Sequence, residues 1–222
     1  MIGGMIMELK IKDPGSALTH FIAMLTAMVA ATPLLIKAAS VPGTMHLKAL
    51  SVFIVSMILL YAASTVYHTF DISEHVNKIL RKIDHMMIFI LIAGTYTPVC
   101  LIVLGNKSGY RMLSLVWGIA IVGIIINALW INCPKWFSSV IYIAMGWVCI
   151  MAIRQIVAAL TPAAFAWLLA GGSIYSIGGV IYALKLPVFN GKHRYFGSHE
   201  IFHLFVMGGS LCHFVVMYAF VL

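Results

Sequence analysis

The segment MMIFILIAGTYTPVCLIVL, residues 86–104, is 19 residues long and contains no charged side chain. An α-helix rises about 1.5 Å per residue, so a helix of this length can cross the roughly 30 Å hydrocarbon core of a bilayer. A strand of a transmembrane barrel needs only about ten residues and alternates apolar with polar positions, which this segment does not. It therefore predicts a membrane-spanning helix.

Six further apolar runs of similar length accompany this segment along the chain. Hydrophobic residues make up 63% of the sequence and charged residues only 9%, which is more apolar than an ordinary soluble domain. We therefore predict an all-α fold, a seven-transmembrane-helix bundle in which residues 1–222 form a single integral membrane domain. The predicted spans are residues 17–36, 50–67, 86–104, 112–131, 136–153, 163–184 and 201–222.

Some helix boundaries are marked by specific residues. Asp13 can cap the first helix and Pro14 suits its first turn, and Thr161 with Pro162 repeats this pattern before the sixth span. Pro98, inside the third span, removes a backbone hydrogen-bond donor, so we expect it to kink or loosen that helix.

The basic residues indicate the partner and the orientation. The chain has 14 Lys and Arg against 6 Asp and Glu, scattered through short loops rather than gathered in a stripe that would follow a nucleic acid. Membrane lipids are the expected partner and nucleic acid is not. Five basic residues lie on the far side, and nine lie on the side of the N-terminus, namely Lys10, Lys12, Lys78, Arg81, Lys82, Lys135, Lys185, Lys192 and Arg194. Positive charge stays inside, so we predict a multi-pass cell-membrane protein with a cytoplasmic N-terminus and an extracytoplasmic C-terminus.

Polar residues converge at the cytoplasmic face of this arrangement. His68 ends the second span, Asp84 and His85 stand at the start of the third, and His199 and His203 fall in the first two turns of the seventh. Residues four apart share one face of a helix, about 6 Å from each other. The two histidines of the seventh span are therefore well spaced to share a metal ion, and His68 would add a third nitrogen.

Three histidines leave the fourth tetrahedral position open, as is typical of catalytic zinc; iron or nickel also accept imidazole ligands. Asp84 has two possible roles, as general base toward water or as a residue that orients a ligating imidazole. Ser64 lies one turn before His68, where its hydroxyl can hold water or contact a substrate carbonyl, or simply pack.

The remaining polar residues of the spans have simpler interpretations. We expect His85 to belong to an interfacial charge cluster and His20 to be an interfacial histidine rather than a further ligand. His213 lies ten residues beyond His203, about 15 Å along the helix, and is expected to pack or hydrogen-bond. Glu200 is expected to stabilise the first turn of its helix.

These positions resemble a known signature. Ser64-x-x-x-His68, Asp84 and His199-x-x-x-His203 are similar to the motifs of the hemolysin III and progestin/adipoQ receptor (PAQR) family. Supporting runs similar to the bacterial hemolysin III branch are Leu18-Thr19-His20, Ala63-Ser64-Thr65-Val66-Tyr67-His68, Ala93-Gly94-Thr95-Tyr96-Thr97-Pro98 and Ala144-Met145-Gly146-Trp147. The resemblance implies seven transmembrane helices, a cytoplasmic N-terminus and zinc bound by His68, His199 and His203.

The resemblance also implies a reaction. The family sits in a wider group with alkaline ceramidases, built on the same serine, aspartate and three histidines, which implies zinc-dependent hydrolysis of an amide bond in a lipid or related amphiphile. Receptor members carry a large cytoplasmic N-terminal region, whereas about sixteen residues precede the first span here, so the bacterial branch fits better.

Two non-enzymatic alternatives stay open at this point. In the first, zinc is structural and the bundle senses or regulates the state of membrane lipids. The second is a cytolytic pore, although the spans show no charged, water-lining face of the kind that a channel needs.

Overall fold

The computed structural model describes residues 11–130, 135–184 and 196–222, and within them the chain is built of helices. Seven of these helical stretches are long and apolar enough to cross a membrane, which confirms the predicted all-α, seven-helix class. The helices are α1 (Pro14–Ala39), α2 (Met45–Thr69), α3 (Glu74–Pro98), α4 (Lys107–Leu129), α5 (Lys135–Gly146), α6 (Ile153–Ala159), α7 (Pro162–Leu184) and α8 (Ser198–Val216).

The start of α3 differs from the prediction. The helix begins at Glu74, because the Ser73 hydroxyl accepts a hydrogen bond from the Val76 amide at 3.3 Å and caps it. Asp84 and His85 therefore lie ten and eleven residues inside α3, and the prediction that they stand at its N-terminus is wrong. The apolar pattern missed the polar first turns, which extend α3 beyond the hydrophobic run.

Two spans contain irregular backbone. After Pro98, α3 continues as a π-helix over Val99–Leu104, which confirms the predicted loosening. The fifth span consists of α5 and α6 joined through a 3₁₀-helix at Val148–Ala152. Tyr96 bridges this break, because its hydroxyl donates to the Gly146 carbonyl at 2.6 Å and accepts from the Cys149 amide at 2.9 Å. Backbone polar groups inside a membrane require such partners.

The helices bury one set of apolar side chains and expose another. Helix α2 packs between α1 and α3, and α7 packs against α8. Phe53, Phe89 and Val116 are among the fully buried side chains, whereas Val29 and Leu129 are 75% and 77% exposed. Large apolar groups facing outward fit a bundle whose surrounding solvent is lipid.

Of the two predicted helix-capping residues, Thr161 forms the capping hydrogen bond and Asp13 does not. Thr161 caps α7, since its hydroxyl oxygen accepts from the Ala164 amide at 3.2 Å. Asp13 occupies the capping position of α1, and Pro14 follows it in the first turn, but the Asp13 side chain makes no capping bond. The carboxylate instead contacts His68, as described below, so the prediction of a capping side chain is wrong.

The direction in which the bundle crosses the membrane stays a prediction. Contact between Asp13 and His68 shows that the start of α1 and the end of α2 lie at the same end of the bundle. Four of the nine basic residues in the charge count, Lys10, Lys185, Lys192 and Arg194, lie outside the described residues.

Candidate metal centre

The end of α2 and the first two turns of α8 bring three histidines together. His68 Nε2 lies 3.2 Å from His199 Nε2, and one nitrogen from each of His68, His199 and His203 lies within 4.8 Å of the other two. The three rings are tilted against one another by 55° to 69°. The imidazoles therefore surround a common point rather than forming a stack.

Helix α1 fixes the tautomers of two of these rings. His68 Nδ1 lies 2.9 Å from the Asp13 carboxylate, which only accepts, so Nδ1 carries the proton. Thr19 donates its hydroxyl proton to backbone carbonyls of its own helix, so its oxygen accepts from His203 Nδ1 at 3.3 Å. Since a neutral imidazole has one protonated nitrogen, Nε2 of both rings keeps its lone pair for a metal.

The spacing of His68 and His199 fits a tetrahedral metal ion, and His203 lies close enough to be a third ligand. Ligands about 2.05 Å from zinc at tetrahedral angles lie about 3.3 Å apart, close to the 3.2 Å between His68 and His199. When one nitrogen of an imidazole binds a metal, the other nitrogen often donates a hydrogen bond to a carboxylate. Asp13 provides that carboxylate for His68. This group can hold a metal ion with a fourth position left open.

A cavity of about 130 Å³ opens beside the histidines. Ser64 and Asp84 line it together with His199 and His203, and apolar residues of α3, α5, α7 and α8 form most of its wall. The predicted serine and aspartate therefore share one cavity with two of the three histidines. Ser64 is buried with its hydroxyl near the Asp84 carboxyl, and no other described residue pairs with that hydroxyl.

His85 does not belong to a surface charge cluster, so that prediction is wrong. It lines the same cavity, and its Nε2 lies 3.1 Å from the Tyr182 hydroxyl. Tyr142 donates a hydrogen bond to the His85 carbonyl at 3.0 Å. Because α3 begins at Glu74, residue 85 lies deep enough in the helix to face the cavity rather than the interface.

His20 is also misassigned by the sequence, since it is only 3% exposed rather than interfacial. Its ring stacks on His203 with 3.6 Å between centroids and 8° between planes. Neither of its nitrogens has a hydrogen-bond partner among the described residues. It lines the cavity but is not part of the group of three possible ligands.

Helix α1 contributes a set of residues that the sequence argument missed. Asp13, Ser16 and Thr19 all contact the site, and Ser16 donates to Glu200 Oε1 at 2.5 Å. Glu200 Oε2 accepts from the Gly197 amide at 2.9 Å, which supports its predicted role in the first turn of α8. Asp13 immediately precedes α1, and its i, i+3, i+6 spacing with Ser16 and Thr19 places all three on one side of the helix, a signal that was present in the sequence.

Comparison with known proteins assigns the chain to a group. A family model described as "Haemolysin-III related" matches residues 9–214. The chain is 36% identical over 203 residues to a protein named "Hemolysin-3 homolog" from Bacillus subtilis (strain 168), covering 91% of each chain. It is 37% identical over 211 residues to "Hemolysin-3" from Bacillus cereus, covering 95% of this chain and 92% of that protein.

A more distant similarity extends to a eukaryotic receptor. The chain is 26% identical over 180 residues to a protein named "Adiponectin receptor protein" from Drosophila melanogaster. This match covers 73% of the chain and 40% of the receptor, so it leaves more than half of the receptor's length unmatched.

Proposed function

The chain belongs to the haemolysin-III-related family of multi-pass membrane proteins, located in bacteria in the plasma membrane, and from this we propose that it is a zinc-dependent hydrolase. Its substrate would be a lipid amide or a related amphiphile. The observation that carries the proposal is the convergence of three histidines on a cavity that also contains Ser64 and Asp84.

His68, His199 and His203 would hold the ion, with His68 and His203 oriented by Asp13 and Thr19. Zinc at such a site supplies Lewis acidity, which activates water and polarises a carbonyl group. The ligands would be neutral imidazoles, so negative charge to offset the ion would come from carboxylates around them. Asp13 supplies one on His68, and Asp84 in the cavity is suited to supply a second.

Asp84 is proposed as the general base and acid. Its carboxylate would accept the proton of the attacking water and return it to the departing amine nitrogen. Ser64 would donate its hydroxyl proton to the acyl oxygen, where negative charge develops in the transition state. Its hydroxyl lies beside the Asp84 carboxyl and has no other partner among the described residues, so it could turn to this contact.

The cavity supports an amphiphilic substrate. Its polar residues gather near the histidines, while residues such as Leu60, Ile88, Leu91 and Val206 make the remaining wall apolar. An acyl chain would lie along that wall, with its carbonyl group at the polar end. The wall would also keep bulk water away from the reacting bond.

The first test is metal content. Mass spectrometry of the detergent-purified protein is expected to find about one zinc per chain, lost in His68→Ala, His199→Ala and His203→Ala. Hydrolysis of lipid amides is then compared between the wild type and Asp84→Asn, and the variant is expected to retain zinc but lose turnover. A well-folded wild type that binds no metal would overturn the zinc mechanism, and unchanged turnover in Asp84→Asn would remove the proposed base.

A structural zinc in a lipid-state sensor is the second candidate. The site joins α2 to α8, and through Asp13 and Thr19 it also holds α1, so a metal ion there would tie three helices together. Metal would then raise stability without turnover. Zinc-dependent thermal stability combined with no hydrolysis of any acyl amide would favour this function.

A further inference from the structure

His213 is a buried histidine far from the metal centre. It is 7% exposed and lies on α8 ten residues beyond His203, about 15 Å along the helix axis. That distance places it near the middle of a hydrocarbon core about 30 Å thick. Ionisable residues at such depth usually mark a functional contact.

The ring of His213 is held in one tautomer. Its Nδ1 lies 2.7 Å from the Gly209 carbonyl, which only accepts, so Nδ1 carries the proton and Nε2 is an acceptor. The ring stacks on Tyr175 with 5.2 Å between centroids. It also lies against Gly171, where a Cβ atom would come within 2.6 Å of the imidazole. These contacts fix the position of the ring.

Among the described residues, the only hydrogen bond of the ring is the one from Nδ1, so the acceptor nitrogen Nε2 is left without a partner and open to the cavities that His213 lines. The nearby Tyr175 hydroxyl is paired with Ser210 at 2.8 Å rather than with His213, and Tyr61 donates to the same serine at 2.7 Å. Buried nitrogen acceptors are normally paired. A donor from a bound molecule would satisfy this one.

His213 stands where two cavities adjoin. The first runs from the metal centre, and the second, of about 70 Å³, lies toward Ile153, Ile156 and Phe165. Both are lined by His213, Tyr96, Trp147 and other shared residues. Because they share these residues, the two cavities adjoin along a mostly apolar path from the histidine site past His213, and the acceptor nitrogen of His213 lies partway along it.

We propose that this path binds a single-chain amphiphile carrying a hydroxyl group about midway along its chain, and that His213 Nε2 accepts the hydrogen bond from that hydroxyl. The inference rests on the proposed function in one respect, that an acyl chain occupies the cavity; it needs neither zinc nor hydrolysis. An extended chain advances about 1.2 Å per bond, so about twelve bonds span the distance from His203 to His213.

The test uses free acids, which cannot be hydrolysed further. Octadecanoic, 3-hydroxyoctadecanoic and 12-hydroxyoctadecanoic acid are titrated into the purified full-length protein by calorimetry. One neutral hydrogen bond corresponds to about a 2- to 10-fold change in affinity. The wild type is expected to bind the 12-hydroxy acid more tightly than the other two by this factor.

Two variants test whether the His213 ring causes the preference for the 12-hydroxy acid. His213→Phe is expected to bind all three acids equally, and His75→Phe, which changes an exposed histidine at the start of α3, is expected to keep the wild-type ratio. Equal binding of the three acids by the wild type would overturn the inference and leave the proposed function standing. Retention of the wild-type preference for the 12-hydroxy acid in His213→Phe would have the same meaning. Failure of every acid to bind would also overturn the inference, while the metal-content and Asp84→Asn measurements decide the proposed function separately. The wild-type comparison decides the matter even if His213→Phe does not fold.

Discussion

Asp13→Ala tests whether helix α1 holds His68 in the orientation needed to bind a metal. The Asp13 carboxylate accepts from His68 Nδ1 at 2.9 Å. The substitution removes this bond and the negative charge behind the imidazole. It leaves the main-chain bonds intact, because the Asp13 amide donates to the His68 carbonyl at 2.9 Å and the Lys12 amide donates to Thr69 at 3.2 Å.

The size of the effect follows from the exposure of the two groups. Loss of a residue that orients a metal ligand typically lowers metal affinity 10- to 100-fold. The His68 side chain is 2% exposed, but that of Asp13 is 43% exposed, so water replaces part of the lost contact. We expect the lower end, about tenfold or ~1.4 kcal/mol. Asp13→Asn keeps a neutral acceptor, which is about half as strong, and should lose about threefold.

The assay is competition for zinc between the purified protein and a chromophoric chelator. Glu74→Ala is the matched control, since it removes a carboxylate that is 84% exposed and whose ion pair among the described residues is with Lys78. Helical content by circular dichroism shows whether each variant is folded. Zinc affinity of Asp13→Ala within twofold of the wild type, with His68→Ala lacking zinc, would refute the orienting role of Asp13.

Three further outcomes are expected. Gly94→Ala should lower the free energy of unfolding by about 1–3 kcal/mol, because its Cβ would collide with a serine hydroxyl of α2. Tyr96→Phe should cost a similar amount, about 1–3 kcal/mol, since it leaves the Gly146 carbonyl at the break between α5 and α6, inside an apolar span, without its donor. Removal of zinc by a chelator should lower the Tm of the wild type, where zinc at 100 times its Kd contributes about 2.7 kcal/mol, and should not change the Tm of His199→Ala.

Thermal unfolding in detergent checks all three, and the chain offers matched controls. Gly118→Ala adds a methyl group where nothing lies within 4 Å, and Tyr110→Phe removes a hydroxyl from a side chain that is 49% exposed. Losses in these controls equal to those in the buried variants would show that the packing argument is wrong. A chelator effect that persists in His199→Ala would place the stabilising metal elsewhere.

The grouping of His68, His199 and His203 could be predicted from the sequence because it depends on helix periodicity and on the order of the membrane spans. His199 and His203 are four residues apart on one helix, so their common face follows from helix geometry alone. His68 could be added because consecutive membrane spans alternate in direction, which brings the end of the second span and the start of the seventh to one face. The roles of Asp84 and Ser64 stay predictions that the shared cavity supports.

The predicted roles of Asp13, His20 and His85 were wrong because contacts with other helices override the pattern within each segment. Asp13 before Pro14 has the sequence pattern of a helix cap, yet its carboxylate binds His68. His20 and His85 lie near the ends of apolar runs, where a histidine is often interfacial, yet both line the cavity. In each case the deciding partner lies on another helix, and a pattern along one helix does not contain it.

The sequence by itself determined that seven apolar helices cross the membrane and that three histidines lie at one face of it. These properties follow from hydrophobic length and from the 3.6-residue period, which act within each segment. The tertiary structure decided that α1 sets the tautomers of His68 and His203, and that a cavity runs from them to His213. Those features depend on how helices rotate and approach one another, and side-chain packing between helices fixes that rotation.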